Sequence, residues 1–142
     1  MNELLFVCGT LLPELVPATL KNLVARFAFV GSGVVRGSLY DLGEYPGAVP
    51  DDSAATLIVG KVFRLPADDT LLKALDDYEG YDPRSPSASL FVRTRCRVTL
   101  SDGRLLECWM YIYNRPTDGL PLIADGDYLK AQDARKKGRL TD

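Results

Sequence analysis

The chain has 142 residues, 46% hydrophobic and 25% charged, with a formal net charge of -2, which suits one domain spanning residues 1–142 around a single core. So small a charge sets up no field that draws nucleic acid or an anionic membrane, and apolar runs such as Leu4 to Cys8 and Ala54 to Val59 are too short to cross a bilayer. No basic-then-apolar leader precedes them, so the expectation is a soluble cytoplasmic protein with no nucleic-acid or membrane partner.

Histidine is absent, which excludes a Ser-His-Asp triad and the commonest zinc ligand. Three cysteines without a CxxC pair argue against a disulfide scaffold or a thiol metal site. Acid and base chemistry is left to carboxylates, Tyr, Cys or Lys.

In chain order, Glu3 to Cys8 is a continuous apolar run stopped by Gly9, which reads as a buried strand followed by a turn, Cys8-Gly9-Thr10-Leu11. From Pro17 to about Arg26, Leu20, Leu23, Val24 and Phe27 recur at helical spacing, with Pro17 suited to a first turn. A strand end, a glycine turn and a helix together leave unpaired backbone N–H groups, a natural anion site. Phe27 to Asp41 alternates but is cut by Gly31, Gly33 and Gly37, as in strands with bends or bulges. In the loop Gly43 to Gly47, Tyr45 either covers the core edge or lines a pocket. Ala54 to Leu65 is the longest strand-like run, closed by Pro66.

The segment Leu71 to Gly80 carries the candidate chemistry. At about 100° per residue, Leu71, Leu72, Leu75 and Tyr78 fall in one arc of a helix, and Glu79 falls inside that arc, while Thr70, Lys73, Asp76 and Asp77 point away. Asp68 or Ala67 caps the start and Gly80 fits the left-handed stop. Glu79 is thereby carried toward the apolar side, where a carboxylate is costly unless something pairs with it. It either serves a site, frays outward, or joins a structural hydrogen-bond network. The following Tyr81 to Ser89, with Pro83 and Pro86, is an exposed loop, a lid or only a connection.

Leu90 to Tyr113 reads as a hairpin around Ser101-Asp102-Gly103, with Gly in the left-handed place of a three-residue turn. The register that follows sets Val98 against Leu106, Cys96 against Cys108 and Val92 against Ile112 on an apolar face. The other face then sets Arg97 against Glu107, Arg95 against Trp109, Arg93 against Tyr111 and Phe91 against Tyr113. Asn114 to Gly126 is irregular, Asp127 caps a last helix from Tyr128 to about Lys137, and Arg135 to Arg139 reads as a solvated end. Of the cysteines, only Cys8 lies beside the candidate site, and as a nucleophile it lacks a histidine base.

Val7-Cys8-Gly9-Thr10-Leu11, Gly37 to Val49, Val59-Gly-Lys-Val-Phe63 and Leu75-Asp-Asp-Tyr-Glu-Gly80 occur in an order and spacing that resembles the gamma-glutamylcyclotransferase-like family, which includes AIG2-like proteins. Phe91-Val-Arg93 and Trp109 to Tyr113 resemble its later strands, so the likeness covers nearly the whole chain. It implies an α+β fold, a small mixed β-barrel with a few flanking helices, whose catalytic glutamate maps onto Glu79. The glutamyl-binding loop of the family maps onto Cys8, Gly9, Thr10 and Leu11, and Tyr45, Pro46 and Tyr113 complete the expected substrate contacts. The sequence departs from the family by having Cys8 and Phe91 where tyrosines are usual.

The implied activity is conversion of a gamma-glutamyl amine or amino-acid amide to 5-oxoproline and a free amine, with Glu79 as general acid and base and with no metal or organic cofactor. The implied partner is a small gamma-glutamyl compound; oligomeric state leaves no mark in the sequence. A competing reading keeps the pocket as a non-catalytic binding module for gamma-glutamyl-type small molecules.

Overall fold

A computed structural model describes the backbone of residues 3–141 and the side chains of residues 3–135. Its strands are β1 (Glu3–Val7), β2 (Ala28–Asp41), β3 (Pro46–Pro50), β4 (Leu57–Leu65), β5 (Phe91–Leu100) and β6 (Leu105–Tyr113). The helices are α1 (Lys21–Val24), α2 (Asp69–Glu79) and α3 (Tyr128–Thr141). The sheet runs β3-β2-β4-β1-β6-β5, and β5 pairs back onto β2, closing a five-stranded barrel that leaves β3 as an extra strand on β2. Pairing is antiparallel except between β1 and β6, which makes the barrel mixed.

This closure explains why β1 is apolar without alternation, since both of its faces are covered. Phe6 joins Val35, Ile58, Val62, Val98 and Met110, one or more from each barrel strand, in a cluster that fills the interior. Its neighbours Leu5 and Val7 turn the other way, into a second cluster with Phe63, Leu71, Leu75, Phe91 and Tyr111, where α2 seals the barrel wall.

The β5–β6 hairpin adopts the expected register, with Cys96 opposite Cys108, Arg95 opposite Trp109 and Arg93 opposite Tyr111. Gly103 takes φ +92° in its turn, as the three-residue loop requires. The glycine-rich run from Ala28 to Asp41 is one bent strand, its register shifting between Phe29 and Gly31.

The helix expected from Pro17 to Arg26 is shorter than its pattern. A 3-10 turn, Ala18–Leu20, leads into the single α turn Lys21–Val24, and Pro17 sits outside as an extended cap residue. The apolar spacing is still used, because Val24 is buried with Leu20, Leu23 and Phe27 packed around it. The last helix is capped by Asp127, whose Oδ1 accepts from the Lys130 N–H at 3.0 Å, and runs to Thr141 rather than Lys137. Arg135 pairs with Asp41 and so departs from the expected solvated end; the side chains of Lys136 to Arg139 lie outside the described residues.

Candidate active site

α2 begins where Asp68 accepts the Thr70 N–H at 3.0 Å and ends where Gly80 adopts φ +73°, a left-handed stop that costs glycine little. That termination places Glu79 in the last turn, on the side facing the barrel wall. It lines a cavity of about 220 Å³ together with Cys8, Gly9, Thr10 and Leu11 of the loop after β1. Tyr45 and Pro46, Leu90 and Phe91, and Tyr78 and Tyr111 supply further walls.

Burial raises the Glu79 carboxyl to about 7. No Lys or Arg lines the cavity to draw it back down. Neighbouring groups respond to the same enclosure: burial first, and the Glu79 charge second, push the Cys8 thiol up to about 12, which leaves no thiolate for nucleophilic work.

The loop opposite Glu79 is held by close packing. Gly9 lies so near Pro46 that a Cβ there would approach its Cγ to 2.8 Å, so the backbone of one wall meets the ring of the next only through glycine. Leu12 N–H closes a turn onto the Gly9 carbonyl at 3.0 Å. Among the described residues, the backbone N–H groups of Gly9, Thr10 and Leu11 donate to no protein acceptor. Unspent backbone donors in a turn beside a cavity are groups that can receive an anion.

The structure therefore brings together Glu79, Cys8, Gly9, Thr10, Leu11, Tyr45 and Pro46 around one cavity. Tyr45 fills both of the roles open to it, packing against the core cluster and lining the cavity, with its ring edge-on to Phe91 at 5.9 Å. Tyr113 stands outside the wall, its ring tilted against Phe91 at 5.7 Å and close to Gly47, where it supports the lining. The phenyl of Phe91 reaches the cavity with no hydroxyl to offer.

Two side chains on α2 depart from the helical-arc expectation. Asp76, assigned to the solvent side, is buried at 6% exposure, and Tyr78, assigned to the core, is 38% exposed. Asp76 lies only about 40° beyond the edge of the apolar arc. A bidentate pair with Arg93, at 2.8 and 3.2 Å, and the Tyr111 hydroxyl, at 2.6 Å, offset its desolvation. Arg93 also stacks 4.4 Å from the Trp109 ring, whose other contact is Arg95 at 4.1 Å. Tyr78 instead donates to or accepts from Thr10 Oγ1 at 2.8 Å, tying the end of α2 to the loop after β1. The missed signal for Asp76 was Arg93, a cation set opposite Tyr111 in the hairpin register.

Residues 5–130 match the family model described as gamma-glutamyl cyclotransferase, AIG2-like. Over 91 residues the chain is 35% identical to a gamma-glutamylcyclotransferase family protein, YtfP, of Escherichia coli K12; the match covers 64% of this chain and 66% of that protein. The crystal structure of YkqA from Bacillus subtilis superposes with a TM-score of 0.71 at 24% identity, over 96% of this chain and 43% of that one. An AIG2-like protein from Mus musculus gives 0.63 at 23% identity, over 85% of each chain. With residues 5–130 matched and the barrel shared, the chain belongs to the AIG2-like gamma-glutamyl cyclotransferase family.

Proposed function

We propose that this chain cyclises a gamma-glutamyl amine or amino-acid amide, releasing 5-oxoproline and the free amine. The observation that carries the reading is a buried carboxyl, raised to about 7, set across a small cavity from three unspent backbone donors in a member of this family. Bound substrate places its α-ammonium on Glu79, which accepts a proton. The freed amine attacks the γ-carbonyl carbon, forming the ring C–N bond. Glu79 then returns the proton to the leaving nitrogen as the original amide C–N bond breaks. The N–H groups of Gly9 to Leu11 hold the α-carboxylate or the oxyanion, and the apolar walls fold the chain into ring-closing geometry. A carboxyl near 7 suits both halves of this cycle at neutral pH.

Incubation with gamma-glutamyl-alanine and gamma-glutamyl-ε-lysine, with detection of 5-oxoproline, tests the reading. Glu79→Gln keeps the shape but cannot cycle a proton, so kcat/KM drops by about 10²- to 10⁴-fold. Absence of product over a broad gamma-glutamyl panel, or full activity in Glu79→Gln, sinks it. The hydroxyl-free Phe91 and the Cys8 thiol in the wall favour one second reading, a binding module that holds gamma-glutamyl compounds without turnover. Thermal stabilisation by such compounds with no 5-oxoproline formed selects that reading.

A further inference from the structure

Two phenols flank Glu79, and neither is turned to it. Tyr78 precedes it on α2 and shares the cavity, yet its hydroxyl is engaged by Thr10 Oγ1 at 2.8 Å. Tyr111 on β6 presents its ring to the same cavity, yet its hydroxyl donates to Asp76 Oδ1 at 2.6 Å. Burial first, and the nearby Glu79 charge as a lesser cause, make both phenols weaker acids. Among the described residues, the Glu79 carboxyl receives no hydrogen bond from side chain or backbone.

The other groups facing Glu79 leave this unchanged. The loop after β1 contributes the Cys8 thiol, the loop before β3 contributes Tyr45, and β5 with its preceding residue contributes only Phe91 and Leu90. No cationic side chain joins them.

We infer that Thr10 and Asp76 are positioning residues that hold the Tyr78 and Tyr111 hydroxyls away from Glu79, leaving its carboxyl free of protein donors and open to the substrate. Thr10 thus acts through its side chain as well as its backbone. A hydroxyl donated to the carboxylate would stabilise the charged form and pull its proton affinity down about tenfold. The inference draws its catalytic meaning from the proposed acid and base role of Glu79, but its test does not need turnover.

The test is a pH titration of the Glu79 side-chain carboxyl by NMR in ¹³C-glutamate-labelled, unliganded protein, the resonance being assigned by its loss in Glu79→Gln. In Thr10→Val the released Tyr78 hydroxyl turns to Glu79, and the midpoint falls by about one pH unit. Tyr78→Phe keeps the wild-type midpoint, and the double variant Thr10→Val with Tyr78→Phe restores it. Tyr111→Phe also keeps it, because that hydroxyl gives Glu79 nothing. A purely structural tether between loop and helix predicts that Thr10→Val and Tyr78→Phe shift together, and that outcome overturns the inference. So does an unmoved midpoint in Thr10→Val, or a raised one in Tyr111→Phe. A chain that fails to make 5-oxoproline overturns the proposed function and leaves these titrations decisive for the inference.

Discussion

At the scale of single residues, Glu79 carries a stability cost that depends on pH. Its carboxyl has a higher proton affinity folded, about 7, than the ordinary 4.5, so the folded state binds the proton more tightly than the unfolded one. The sign follows: the penalty is absent below 4.5, grows as pH rises through the window, and is complete above 7. Its upper size is on the order of 3 kcal/mol, reduced by the water that reaches the cavity. Glu79→Gln therefore raises the midpoint of thermal unfolding at pH 8 and changes it little at pH 4, which calorimetry at the two pH values reads directly. The position of Glu79 was legible in the sequence because the leucines fixed a helical arc and Gly80 fixed its end. The Thr10–Tyr78 hydrogen bond was not, since it joins residues 68 apart and depends on how the last turn meets a loop.

At the scale of elements, α2 is docked by one apolar seam and one ionic key. Leu71 and Leu75 are buried against the barrel wall, and Leu75→Ala costs about 2–5 kcal/mol by chemical denaturation. Asp76 supplies the key. Asp76→Ala leaves the mostly buried Arg93 without its partner and costs about 3–5 kcal/mol, more than removal of an exposed pair such as Arg26 with Asp68. Replacing Asp76 also loosens the helix turn that carries Glu79, so for the proposed reaction the same variant lowers kcat/KM beyond its effect on folding. The hairpin was legible strand by strand, because Val and Cys alternate with Arg and Trp and any slip of one residue would bury the charges. Asp76 escaped because a helical wheel cannot say which cations a neighbouring sheet will present. The short α1 escaped for a related reason: four apolar residues at helical spacing pack equally well from a 3-10 turn and one α turn.

At the scale of the molecule, the barrel closes through unequal seams. β2 meets β4 along eight registered pairs but meets β5 at only two, Gly33 with Leu100 and Val34 with Thr99. A junction with few paired residues opens more readily than a long one. Native-state hydrogen exchange is therefore expected to be faster for amides bridging β2 and β5 than for those bridging β2 and β4, by at least tenfold; equal protection would count against an unequal barrel. This closure was not legible in the chain, since strand order around a barrel follows from long-range pairing that local alternation does not encode. The shape of the family provided it.

The guanidinium sandwich around Trp109 has a spectroscopic consequence. It is the chain's single tryptophan, and one of its two cationic neighbours, Arg93, is tied through Asp76 to the helix that bears Glu79. Tryptophan emission thus comes from one site, next to the ion pair that docks α2. An unlabelled tryptophan-fluorescence trace during unfolding or ligand addition consequently reports whether the helix that bears Glu79 is seated, separately from circular dichroism, which reports the barrel as a whole.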